Sequence, residues 1–487
     1  MQLDVSALGI DVAAIAPVLV LSVVAMAVLV LGLFAKEKGG RLLTAFCLAG
    51  LAVAAVVSLA LWGSRRTAFS QMLVVDDFYV FFSLLAVGVT ALAIALSASY
   101  VERSGLARAE YYALMLFGAT GMVVMVGASN LITLLVGLEL LSLSLYVLAG
   151  FARTRLTSEE AALKYFLLGS FALGLLIYGS ALVYGATGSL DYAGIAKALQ
   201  RAEGASPMLL LGAGLVLAGF AFKLSLVPFH MWVPDVYEGA PTPVTAYMAV
   251  GTKATVFAAL LRMLVTAFPA AQGEWAPILA VLAAVTVIVA NVAAVVQTNL
   301  KRLLGYSAIS HAGYVSMAVV AGGGIGNDAA VFYLVAYTVM NFGAFAVMVA
   351  VGEGREQRLD LSDYAGLAKR SPWLAAAMAV FMLSLGGAPF TAGFLAKLYV
   401  FGAAVQGGYL WLALVGVATS VVAFYYYLKV VVAMYMAEPA DTVVLQAPAG
   451  AVAGVLVVAV LLTLQMGVFP SLFLGLPHFP AVMALGM

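Results

Sequence analysis

Charge is what this chain has least of: 9% of its 487 residues are Asp, Glu, Lys or Arg, against 65% hydrophobic ones. Soluble globular domains carry about 25% charged residues, so this balance excludes a water-soluble enzyme of ordinary composition. The formal net charge of +1 leaves no basic field for nucleic acid and no acidic tail for a soluble partner. Cysteine is limited to Cys47, which excludes an internal disulfide and any Cys-ligated zinc or iron–sulfur site. His230, His311 and His478 are few for a redox metal, so neither a metal nor a cofactor is expected in this chain. A basic n-region is lacking too, with Asp4 and Asp11 standing where a secretory leader carries Lys or Arg. The apolar run Val12–Phe34 therefore reads as a retained spanning helix.

What is present is a succession of long apolar runs. A spanning helix needs about 20 apolar residues, and breaks fall at Gly, Pro and charge clusters. The chain then parses into fourteen segments, at 11–34, 41–62, 76–100, 111–127, 131–150, 160–185, 207–231, 242–268, 276–297, 302–321, 328–351, 373–403, 409–436 and 449–474. The thinnest division is Gly127–Asn130, which alone separates the fourth from the fifth. The longest polar connections, at 191–207 and 353–372, are too short for a soluble domain, and 352–371, dense in both charge signs, reads as a linker or as a cytoplasmic amphipathic segment.

The positive residues give an orientation. Odd-numbered connections hold thirteen: Lys36, Lys38, Arg41, Arg103, Arg108, Arg153, Arg155, Lys301, Arg302, Arg355, Arg358, Lys369 and Arg370. Even-numbered ones hold four, namely Arg65, Arg66, Lys197 and Arg201. By the positive-inside rule the odd connections face the cytoplasm, and both termini face the periplasm of a bacterial inner membrane.

Against that background a few ionisable residues interrupt apolar helices: Glu139, Lys164, Lys223, Lys253 and Lys397. A charge at the centre of a spanning helix costs roughly 2.5–3.5 kcal/mol even on insertion scales, so ion or proton passage is the default reading. Glu139 is too deep and too short to reach a headgroup, and must be protonated or paired with a cation. Desolvation favours a neutral amine and a neighbouring carboxylate restores the charged one, so Glu139 is a lever on a nearby lysine. Lys164 stands about one turn inside its segment, where snorkelling explains it equally well. Arg262 and Lys429 read as interfacial, and capping suffices for Asp76 and Asp77. His230 follows Lys223 by seven residues on nearly the same helix face, and His311 lies among hydroxyls; either can relay a proton or serve as a hydrogen-bonded core residue. Ser142, Ser144, Tyr146, Thr252 and Thr255 can support water between the charges, or simply join helices.

Two segments look broken. Phe222–His230 holds Val227-Pro228-Phe229 after Lys223, and Leu385–Gly393 holds Ala388-Pro389-Phe390 before Lys397. Proline removes a donor and kinks a helix, and paired interruptions in two halves are the mark of repeat-built transporters.

The stretch from Lys223 to Thr245, KLSLVPFHMWVPDVYEGAPTPVT, resembles the signature of the antiporter-like subunits of respiratory complex I and of the related multisubunit cation/proton antiporters. Residues 301–314 and 388–399 match further segments of that family, and the resemblance spans nearly the whole chain. The motif 249–254, the lysine at 397 and the lack of a long lateral C-terminal helix narrow it to the paralogue that is neither subunit M nor subunit L. The resemblance implies an all-α integral membrane fold of about fourteen helices with two inverted five-helix repeats and two interrupted helices. It implies N-terminal helices 1–3 over 1–110, repeats over 111–268 and 269–437, and a last helix over 438–487. By motif position Glu139 belongs to the fifth helix, Lys164 to the sixth, Lys223 to the seventh, Lys253 to the eighth and Lys397 to the twelfth.

It further implies a proton-translocating subunit with no redox centre of its own. FMN, iron–sulfur clusters and quinone would belong to partner subunits, and subunit M with the small subunits J and K would be its neighbours. The expected path enters near Lys223, passes Lys253 and His311, and leaves by Lys397, with Glu139 tuning Lys223. The other readings are a Na⁺/H⁺ antiporter subunit, a quinone-site subunit and a non-pumping scaffold.

Overall fold

Apolar runs of this length leave the backbone one way to satisfy its N–H and C=O groups in lipid without closing a barrel, which is to coil into helices. The computed structural model describes residues 11–34, 39–201, 206–352, 359–439 and 450–471. In chain order the elements are α1 (Val12–Phe34), α2 (Gly39–Leu59), β1 (Arg66–Ala68), β2 (Leu73–Val75), α3 (Asp77–Arg103), α4 (Ala109–Val126), α5 (Leu131–Ala149) and α6 (Leu156–Thr187). They continue with α7 (Tyr192–Arg201), α8 (Pro207–Leu224), α9 (Trp232–Gly239), α10 (Thr242–Tyr247), α11 (Lys253–Ala267), α12 (Gln272–Val295), α13 (Leu300–Ala321) and α14 (Gly323–Val351). The last are α15 (Leu367–Arg370), α16 (Pro372–Gly386), α17 (Ala392–Gln406), α18 (Leu410–Met436) and α19 (Gly450–Val468).

Thirteen of the described helical stretches are long and apolar enough to cross a membrane, and α16 and α17 are shorter apolar helices that together match the twelfth expected segment. The seventh crossing is α8 followed by α9 across a turn, and a π-helical turn, Met248–Thr252, joins α10 to α11 in the eighth. The fourteen expected segments are therefore present, most of them within a few residues of their expected ends. Asn130 explains the thinnest division, because its Oδ1 accepts from Ile132 N at 2.7 Å and caps α5.

Four features went unanticipated. The second connection folds into the antiparallel β1–β2 ribbon, with Arg66 opposite Val75. The sixth contains the amphipathic α7, which buries Tyr192, Ile195 and Leu199. Helix α6 starts one turn earlier than expected. Lys301, counted among the charges of a connection, is fully buried at the start of α13, where Nζ donates to Ala240 O at 2.5 Å. Lys36, Lys38, Arg355, Arg358 and His478 lie outside the described residues.

Helices apolar on all sides sort by position rather than by stripe. The eighth crossing, α13 and α14 are buried almost along their lengths. In contrast, α6, α12 and α18 present Phe166, Phe171, Ile288, Val292, Val421 and Tyr425 outward. Close crossings use small residues: a Cβ on Gly121 would stand 2.5 Å from Leu141 N and 2.6 Å from Gly137 O, so α4 and α5 meet backbone to backbone.

One backbone device occurs twice. Leu131 N donates to Leu190 O (3.0 Å) and Tyr192 N to Ser129 O (2.9 Å), bridging Asn130 to Asp191. Leu300 N donates to Leu359 O (2.7 Å) and Leu361 N to Thr298 O (2.8 Å), bridging Asn299 to Asp360. A constant shift of 169 positions carries every member of the first set onto the second. Five crossings lie between the two bridges, so they close opposite ends of the bundle.

Candidate functional site

The two helix breaks generate the site. At the end of α8, Ser225 turns into the left-handed region (φ 66°), and Leu226 N donates back to Ala221 O at 2.8 Å. Among the carbonyls at the helix end, Phe222 O accepts from Ser225 N at 3.0 Å and from Trp232 Nε1 at 3.1 Å, and Leu224 O accepts from Lys253 Nζ at 3.1 Å. Ser225 Oγ lies 3.3 Å from the same amine. At the end of α16, Gly387 (φ 92°) and Ala388 both donate to Leu383 O, and Gly386 O accepts from Lys397 Nζ at 2.9 Å. Ser420 Oγ completes the Lys397 contacts at 2.7 Å. A buried lysine thus meets a freed carbonyl at each break, where the helix dipole also favours a cation.

Lys223, on the last turn of α8, is caged differently. Its Nζ donates to Ser142 Oγ (2.7 Å) and Tyr146 OH (3.1 Å) of α5. It also lies 5.2 Å from the Tyr146 ring centre and 5.8 Å from that of Tyr165. Glu139 sits three residues before Ser142 on the same helix, half-buried, with Oε2 lacking a hydrogen-bond partner among the described residues.

His311 occupies the buried middle of α13. Its Nδ1 lies 2.7 Å from Tyr333 OH and its Nε2 3.2 Å from Tyr427 OH, which in turn meets Ser307 Oγ at 2.5 Å. Tyr314 lies beside the imidazole, with the Lys397 amine 5.3 Å from its ring centre, and connects to Asn291 and Thr419. Lys223, Lys253, His311 and Lys397 are thus a series of buried groups: Lys253 reaches the first break next to Lys223, and Lys397 and His311 both lie against Tyr314.

Two candidates lie off this series. Lys164 is at the rim, its side chain 40% exposed, bonded to Glu160 at 2.6 Å and to Asp235 at 2.7 Å. Asp235 shares its other oxygen with Arg302, which also meets Glu238, so the signature acids serve a half-buried ion network. His230 is on the turn between α8 and α9 rather than on the helix face of Lys223, because α8 ends six residues earlier. Its Nδ1 is buried without a hydrogen-bond partner among the described residues.

Asp76 does more than cap α3, and Arg262 is its partner: the two form a buried, two-pronged ion pair. Ser420, Tyr333 and Tyr427 were missed from sequence, whereas carbonyls freed at the breaks are what the prolines predict. A hydroxyl run such as Thr419-Ser420 inside an apolar helix was the available signal.

A family described as NADH:quinone oxidoreductase/Mrp antiporter, transmembrane, matches residues 128–423, the stretch that holds this series. The chain is 46% identical over 469 residues to the NADH-quinone oxidoreductase subunit N of Trichlorobacter lovleyi, covering 96% of both. It is 47% identical over 435 residues to that of Chloroflexus aggregans, covering 88% of this chain and 89% of the relative. A chain of respiratory complex I from Thermus thermophilus with bound aureothin superposes with a TM-score of 0.81 at 38% identity, covering 94% of this chain and 98% of its own. A chain of the Mrp complex from Dietzia sp. DQ12-45-1b shares the fold at a TM-score of 0.84 and 22% identity. With these relatives and this architecture, the chain belongs to the NADH:quinone oxidoreductase/Mrp antiporter family, in its NADH-quinone oxidoreductase subunit N branch.

Proposed function

We propose that the chain translocates protons as a membrane subunit of a bacterial proton-pumping NADH:quinone oxidoreductase, through Lys223, Lys253, His311 and Lys397. The observation that carries this reading is the pairing of each helix break with a buried lysine. Both Lys253 and Lys397 are held by a carbonyl and a hydroxyl rather than by a carboxylate. No counter-charge in those contacts pins the proton, so small shifts at the break change how firmly the amine holds it. Moving one charge against 100 mV costs about 2.3 kcal/mol, a size that changes in desolvation or in a nearby charge readily supply.

Uptake is assigned to the Lys223 end and release to the Lys397 end. Glu139, one helix turn before the Ser142 that holds Lys223, is assigned to set the charge state of that lysine and to pass on events in a neighbouring subunit. Lys164 and His230 belong to the uptake side. The repeats are assigned to 111–268 and 269–437, flanked by 1–110 and 438–487, and the doubled backbone bridge supports that division. Both termini are assigned to the periplasm. Subunits M, J and K are the assigned neighbours, and FMN, iron–sulfur clusters and quinone belong to partner subunits.

The test is the ratio of protons moved to NADH oxidised by the assembled complex in sealed vesicles. Glu139→Gln, Lys223→Ala and Lys253→Met should each lower that ratio while the complex remains assembled. An unchanged ratio in all three removes the assignment. Sodium-dependent transport without NADH would instead favour a cation/proton antiporter.

A further inference from the structure

Beyond Lys253 on the same helix, by about 13 Å along its axis at 1.5 Å per residue, stands a cation that the series does not use. Arg262 Nη1 donates to Asp76 Oδ2 at 2.8 Å and Nη2 to Asp76 Oδ1 at 2.7 Å. The two side chains are 5% and 8% exposed. The guanidinium lies 4.9 Å from the ring centre of Phe78. Its Nε is buried and has no hydrogen-bond partner among the described residues, and neither has the hydroxyl of Tyr192 on the lateral α7. The charge of Arg262 reaches that tyrosine.

Stability explains this pair poorly. A buried ion pair repays its desolvation only when its geometry is excellent, and apolar residues of similar volume often do as well. Asp76 already caps α3 by accepting from Tyr79 N at 2.8 Å, which requires no arginine. What separates Arg262 from the lysines is chemistry. A guanidinium does not give up its proton in a protein, whereas an amine does. The carboxylate that might otherwise take a proton here is saturated by both guanidinium nitrogens and a backbone N–H. Fixed cations of this kind act as barriers to protons in other membrane pores.

We propose that the Arg262–Asp76 pair is a proton seal. It closes the end of the eighth crossing toward the membrane face that carries the β1–β2 ribbon and α7. A proton on Lys253 is then left with the route toward His311 and Lys397. The proposal rests on the reading of Lys253 as a proton carrier.

The decisive variant is Arg262→Lys, which keeps the charge and a hydrogen bond to Asp76 but restores a group that can release its proton. In the assembled complex in sealed vesicles, a pH gradient should then collapse several-fold faster without NADH, while electron transfer to quinone persists. Adding Lys253→Met should return the leak to the unaltered rate. An Arg262→Lys complex as tight as the unaltered one overturns the seal, as does a leak that survives Lys253→Met. If Arg262→Lys fails to assemble, the doubly neutral Asp76→Asn, Arg262→Gln complex is measured with the same two outcomes. Lys253→Met alone pumping normally refutes the proton-carrier reading, and that result is separate from any leak.

Discussion

What distinguishes the intrahelical cations from one another is the company each keeps. Arg262 and Lys164 bond carboxylates, whereas Lys253 and Lys397 bond a carbonyl and a hydroxyl. Ser420→Ala tests that difference at its smallest. It removes the 2.7 Å contact of Lys397 and leaves the amine with Gly386 O alone. A hydrogen bond to a charged group contributes about 1.5–3 kcal/mol, so the proton occupancy of Lys397 should change by a factor of roughly ten or more. Proton-to-NADH stoichiometry in vesicles should fall in Ser420→Ala and further in Lys397→Ala; equal stoichiometry in both would take Lys397 out of the path. Glu139, Lys223, Lys253 and Lys397 were legible because a charge in a long apolar run stands out without any partner being known. Asp76 with Arg262 was not legible, since 186 positions separate them and each alone had an ordinary explanation. Tyr333 and Tyr427 were hidden for the opposite reason: a buried tyrosine is common, and only folding showed which of them meet His311.

A broken helix works only if its loose carbonyls find donors inside the protein, and the turn at the second break sets where Lys397 lies. Gly387 has φ 92°, and a Cβ there would stand 3.1 Å from Lys397 Cδ and 3.4 Å from its Nζ. Gly387→Ala therefore strains the turn by roughly 1–2 kcal/mol and pushes the amine away from Gly386 O without removing any charge. Its stoichiometry should resemble that of Lys397→Ala, with the assembled complex retained; normal pumping would show that the amine's position at the break does not matter. A different outcome is expected at Gly121, where the crossing of α4 and α5 leaves no room for a methyl group. Gly121→Ala should lower thermal stability of the solubilised complex before it alters stoichiometry. Both breaks were visible as Pro-Phe pairs, because proline acts on the backbone wherever it sits. The π-turn before Lys253 and the β1–β2 ribbon had no such marker. They depend on packing and on contacts between connections distant in sequence, such as Val74 N with Gly127 O at 2.8 Å.

At the scale of the molecule, the doubled bridge sets the start of α5 in register with the start of α13. The shift of 169 positions carries Asn130 to Asn299 and, along the same paired helices, Ser142 to His311 and Glu139 to Ala308. The hydroxyl that holds Lys223 in one half thus corresponds to the imidazole in the other, while the acid has no counterpart. An asymmetry of that kind suits a transporter in which one half responds to a neighbour and the other releases the proton. The bridges themselves predict stability. Each asparagine caps a helix, Asn130 for Ile132 N and Asn299 for Arg302 N, and replacing such a cap by Ala costs about 1 kcal/mol. Asn130→Ala and Asn299→Ala should therefore each lower the thermal unfolding midpoint by a similar amount. Because the two bridges close opposite ends of the bundle and share no partner, their effects should add. A large effect at one site and none at the other would mean that the two bridges are not equivalent, and the proposed division into repeats would lose its main structural support.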